Sequence, residues 1–97
     1  MKIPKLTEGY LRYSLYLLFH MEEISSFDWL GPEYVAAFLN EYNLDVRRGI
    51  IDALKWVSRH PEADLTDVLP NLPLANDRLH VFANKIYILA NCDAGQN

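Results

Sequence analysis

Apolar residues recur at helical spacing in four stretches of the chain, separated by clusters of turn-forming residues. In the first, from Glu8 to Glu22, Leu11, Leu15 and Leu18 share a face with Tyr10, Ser14, Leu17 and Met21 alongside, and Thr7 stands before them as an N-cap. This segment is apolar around most of its circumference, which predicts a central helix with the hydroxyls of Tyr10, Tyr13 and Tyr16 kept near water. Ser25 to Gly31 reads as a loop, and Pro32 suits the first position of a second helix that runs to about Tyr42. Its inner face is Val35, Phe38, Leu39 and Tyr42, with Glu33, Ala37, Asn40 and Glu41 outward. Asn43 either ends this helix or caps the next.

The third helix has the clearest pattern. Val46, Ile50, Ala53, Leu54 and Val57 line one face, Arg47, Arg48, Asp52, Lys55 and Arg59 the other, and Pro61 stops it. Arg48 and Asp52 are spaced for a helical ion pair, Lys55 and Arg59 for a repulsive one. Residues 61–76 contain Pro61, Pro70 and Pro73, too many for one helix, and predict a connector with a short turn that tucks Leu65, Val68 and Leu69 inward. Asn76 then caps a last helix with Leu79, Phe82, Ile86 and Leu89 on its inner face up to about Cys92, after which the chain frays. The expected fold is all-α: a compact bundle of four main helices with a Pro-rich connector before the last, one domain over residues 1–97.

Composition agrees with a chain that folds on its own, since 51% of its residues are hydrophobic and 23% charged. The most apolar run, Leu15 to Phe19, stops at His20, Glu22 and Glu23, well short of the roughly 20 residues that cross a bilayer. The N-terminal Met1 and Lys2 are not followed by a signal-peptide core, so a cytoplasmic location is expected. Cys92 is the single cysteine, and no internal disulfide can form.

Candidate chemistry is sparse. His20 and Glu23 lie three apart without an identifiable third ligand, so no metal is expected. His60 falls in the last turn of the third helix, where a cation suits the negative helix end; His80 falls in the first turn of the fourth, at a surface or boundary position. No serine or cysteine sits in a nucleophile signature, and Gly9, Gly31, Gly49 and Gly95 are too scattered to cradle a phosphate. Neither an enzyme nor a cofactor is expected. With 13 acidic against 9 basic residues, for a net charge of −4, direct nucleic-acid binding is not expected either. Its only route is a helix-turn-helix that uses Arg47, Arg48, Lys55 and Arg59.

Charge is segregated along the chain. Between Arg12 and Arg47 lie Glu22, Glu23, Asp28, Glu33, Glu41 and Asp45 with no Lys or Arg; between Arg59 and Arg78 lie Glu62, Asp64, Asp67 and Asp77, again with neither. Negative charge is favoured at helix starts, which accounts for Glu33, Asp45 and Asp77. The remainder fall in a loop and a connector, where binding residues concentrate, and point to a basic protein as partner. The candidate partner-binding residues are Glu22, Glu23, Asp28, Trp29, Glu33, Glu62, Asp64 and Asp67. Trp29 is the candidate apolar anchor, set against the simpler reading of a loop aromatic folded onto the core.

A small, acidic, all-helical domain without catalytic residues resembles in general character the bacterial immunity proteins that neutralise nuclease toxins, including those of contact-dependent inhibition systems. The likeness is carried by Glu22, Glu23, Asp28, Trp29 and Glu33 and by the segment Glu62-Ala63-Asp64-Leu65-Thr66-Asp67. It implies an inhibitor that occludes a basic nucleic-acid-binding cleft. Two other classes fit the same pattern: a phage-type inhibitor that imitates nucleic-acid charge, and a structural or regulatory module that self-associates through the apolar and tyrosine side chains of helix one, as a homodimer.

Overall fold

In a computed structural model, the described residues are 3–20, 27–69 and 74–94. Four α-helices, α1 (Lys5–Leu15), α2 (Pro32–Asn40), α3 (Leu44–Arg59) and α4 (Asn76–Ala94), are joined by two 3-10 segments, Tyr16–His20 and Leu65–Asp67. No strand occurs among the described residues. The fold is the expected all-α bundle, and its buried residues form one cluster.

Helix α1 begins three residues before the expected Glu8. Pro4 supplies the extended N-cap, its fixed φ of −57° suits a helix entry, and its carbonyl accepts the Glu8 N–H at 2.9 Å. Thr7 is therefore inside the helix and not its cap. Nor does the α-helix continue to Glu22. After Leu15 it tightens into the 3-10 segment, whose three-residue period still stacks Leu18 on Leu15, and both are buried. Met21 and Glu22 lie outside the described residues. The central position also belongs elsewhere: α4 packs against α1, α2, α3 and the second 3-10 segment, whereas α1 leaves Leu6 and Tyr13 exposed, and Tyr16 just after it is exposed as well.

Helix α3 follows its sequence pattern. Asn43 is its N-cap and accepts the Val46 N–H at 2.9 Å, and Ile50, Ala53, Leu54 and Val57 are buried. His60 caps the far end: its ring stacks on Trp56 at 4.1 Å and its Nδ1 bonds the Trp56 carbonyl at 2.7 Å, which satisfies one of the carbonyls a helix end leaves unpaired. Arg47 turns back to donate to the Tyr42 carbonyl at 2.8 Å. The anticipated Arg48–Asp52 pair does not form. An ion pair does form on α1, between Glu8 and Arg12 at 2.7 Å.

The α1–α3 seam is aromatic. Tyr10 lies against Gly49, Tyr13 meets the Tyr42 ring edge-on at 4.9 Å, and Tyr42 meets Phe38 at 5.6 Å. These contacts run in opposite chain directions, Tyr10 to Gly49 and Tyr13 to Tyr42, so the two helices pack antiparallel. Burial holds the Tyr42 phenol above its usual pKa, with Glu41 and Tyr13 adding to the shift.

Candidate protein-binding surface

Both acidic segments are held by α4. Before α2, Phe27 packs on Phe82 at 5.1 Å and lies under the Arg78 guanidinium at 4.7 Å, and Lys85 donates to the Phe27 carbonyl at 2.6 Å. Trp29 packs on Phe82 as well, at 5.9 Å. The aromatic residues on either side of Asp28 thus fix an otherwise short turn to the helix, and Asp28 itself stays exposed. Trp29 is half-buried against the core, so its ring meets both the core and the surface. Glu33 is exposed on the first turn of α2, as its position in the sequence indicates.

The connector is fastened to a different side of α4. Asn76 accepts the Leu65 N–H at 2.7 Å and donates to the Ala63 carbonyl at 3.0 Å, and His80 bonds the same carbonyl at 2.7 Å. A carbonyl can only accept, so His80 Nε2 carries the proton. Its Nδ1 and the Asn84 Oδ1, one turn further on, are buried without a partner. Arg12 of α1 completes the attachment through the Val68 carbonyl at 3.4 Å. Ala63, Leu65, Val68 and Leu69 are consequently buried, while Glu62, Asp64 and Asp67 remain exposed. Asn76 was expected as a helix cap. The first turn of α4 bonds instead to the Ala75 carbonyl, the Asp77 carboxylate takes the Arg78 N–H at 2.9 Å, and Asn76 is free to hold the connector. Asn76→Ala strands the buried Leu65 N–H, and we expect it to lower stability by about 1–3 kcal/mol. Denaturant unfolding together with faster exchange of the Leu65 amide checks this.

Side chains advance about 100° per residue around a helix, so the residues that hold the connector (76, 80) and those that hold the loop (78, 82, 85) lie on different sides of α4. The sector between them carries Asp77, Val81 and Ile88, with Val81 49% and Ile88 60% exposed. The anchored segments therefore frame the N-terminal half of α4: the loop that carries Asp28 and Trp29 on one side and leads into Glu33, the connector that carries Glu62, Asp64 and Asp67 on the other, with exposed Val81 between them and exposed Ile88 two turns further along the helix. Val81 and Ile88 escaped sequence reasoning, although their place off the Leu79, Phe82, Ile86 face was a legible sign of outward apolar residues. Glu22 and Glu23 lie outside the described residues.

The carboxylates differ in what they do locally. Asp64 accepts the Thr66 N–H at 3.0 Å and its hydroxyl, and these bonds hold its carboxyl below the usual range. It shapes the turn as well as charging it. Glu33, Glu62 and Asp67 are exposed and make no ion pair with another described residue.

No group of three or more His, Cys, Asp or Glu side chains that could hold a metal occurs among the described residues, and no helix of those residues is long and apolar enough to cross a membrane. Comparison with protein-family models, curated proteins and solved structures finds no match to this chain.

Proposed function

We propose that this chain is a small acidic protein-binding module, most simply an immunity-type inhibitor that covers the basic surface of a nuclease-like toxin. The observation that supports it is the pair of segments anchored on different sides of α4, which carry the exposed carboxylates of Asp28, Glu62, Asp64 and Asp67 beside the exposed apolar side chains of Val81 and Ile88. Such a surface combines the two terms of a specific interface, an apolar centre that is desolvated on contact and a charged rim that steers and selects the partner. No reaction chemistry is required of it.

The test begins with the tagged protein at low salt in its native lysate and elution at high salt, followed by titration of the eluted partner. Glu62→Lys with Asp67→Lys is the diagnostic variant, because neither carboxylate holds local structure, whereas Asp64→Lys would also loosen the Thr66 turn. We expect a basic partner whose affinity falls about tenfold or more on this double reversal, about 1.4 kcal/mol, with circular dichroism and Tm retained. Unchanged affinity would remove the connector from the interface.

A second reading rests on another face. Exposed Leu6 and Tyr13 border a groove of about 290 Å³ between α1 and α3, lined also by Lys5, Gly9, Tyr10 and Val46, which suits self-association. A dimeric elution volume that survives high salt, with no partner captured, would favour it over the inhibitor.

A further inference from the structure

A hollow of about 560 Å³, open to solvent, is lined by Trp29, Gly31, Pro32, Glu33 and Tyr34. Two of its walls are aromatic rings that stand nearly perpendicular, with centroids 5.2 Å apart and 72° between planes. Both rings are fixed before any ligand arrives. Trp29 rests on Phe82 at 5.9 Å, and Tyr34 sits in the first turn of α2, whose entry Pro32 sets at the first helical position. Glu33 contributes to the lining and is exposed, with no ion pair to another described residue.

Aromatic faces carry the negative side of a quadrupole and attract cations, and a nearby carboxylate strengthens that attraction. The N-terminus of α2 acts against it with about half a positive charge, but Glu33 alone outweighs this with a full negative one. The corner therefore selects for an organic cation. Among cationic side chains, guanidinium is planar, stacks on rings, is weakly hydrated and forks onto carboxylates, whereas ammonium is compact and strongly hydrated. We propose that this corner receives an arginine side chain of the basic partner, with the guanidinium plane against Trp29 or Tyr34 and its N–H groups on Glu33. The proposal rests on the reading of the chain as a binder of basic proteins and names the residue type that the frame around α4 anchors.

The experiment uses the isotope-labelled full chain and a capped hexapeptide of alternating glycine and arginine, with the citrulline counterpart as the same shape without charge. The chain has two tryptophans, so two indole N–H signals report separately, and Trp56, stacked on His60, is the internal reference. We expect the Trp29 signal to shift saturably with the arginine peptide while Trp56 stays still and citrulline has no effect. Tyr34→Leu and Glu33→Gln should each weaken binding about tenfold or more. Gly31→Leu provides a variant independent of both side chains: its φ of −121° is open to any residue and an added Cβ meets no atom within 4 Å, so it should fold and fill the hollow. Equal response to citrulline, or undiminished binding by Tyr34→Leu and Gly31→Leu, overturns the assignment. Peptide binding here with no basic protein captured would sink the inhibitor reading alone; a captured partner with no peptide response would sink the pocket alone.

Discussion

Phe82→Ala is expected to lower the unfolding free energy by about 3–5 kcal/mol, the largest effect of any single truncation considered for this fold. Small domains are stable by only about 5–15 kcal/mol, so the variant should melt far below the parent or be partly unfolded at room temperature. Three features make this position severe. The ring is fully buried, α4 is the helix that all others touch, and Phe27 and Trp29 both rest on this one side chain. The truncation leaves a cavity at the point where the acidic loop is attached, so loss of stability and loosening of Trp29 should occur together. Denaturant unfolding followed by far-ultraviolet circular dichroism gives the first, and tryptophan emission below the transition gives the second. A loss under about 1 kcal/mol would mean that the neighbouring side chains collapse into the space and that Phe82 is not the anchor.

Gly49→Ala should destabilise by about 1–3 kcal/mol, although the same change within an ordinary helix is favourable by about 0.5–1 kcal/mol. The sign is reversed by Tyr10, whose ring carbons occupy the place of the added methyl group. The ring cannot move cheaply, because it stacks on Tyr13 at 6.2 Å and Tyr13 in turn meets Tyr42. In a Tyr10→Ala background the clash is gone, and Gly49→Ala should become neutral or stabilising. The double-mutant cycle therefore has a coupling whose direction is fixed in advance, measured by thermal or denaturant unfolding of the four proteins. Additive effects would show that Tyr10 does not press on Gly49 in solution.

The candidate surface was legible in part. Charge segregation along the chain marks Asp28, Glu33, Glu62, Asp64 and Asp67, and all five are exposed. Trp29 could be read either as an anchor at the surface or as a ring folded on the core, and it is half-buried, in contact with both Phe82 and Tyr34. The local role of Asp64 was not legible, because the same aspartate in a sequence is compatible with a free carboxylate and with one that closes a turn on Thr66. The role of Asn76 was hidden for a related reason: an asparagine before a helix commonly caps it, and only the presence of the connector backbone nearby gives its amide a different partner.

The sequence by itself determined the helices and their inner faces, because apolar periodicity records which side of each segment must leave water. Leu11, Leu15 and Leu18, Val35 and Phe38, Ile50, Leu54 and Val57, and Leu79, Phe82 and Ile86 are all buried where their spacing places them. It also pointed to the capping of Asn43, as one of two readings, and of His60, whereas the expected caps Thr7 and Asn76 take other roles. Tertiary structure alone decided that α4 takes the centre, that a helical glycine is required beneath Tyr10, and that the loop around Asp28 and the connector are anchored on different sides of α4. Periodicity assigns each helix an inside and an outside but carries no information on which inside meets which, and the pairing of faces is what brings residues distant in the chain to a common surface.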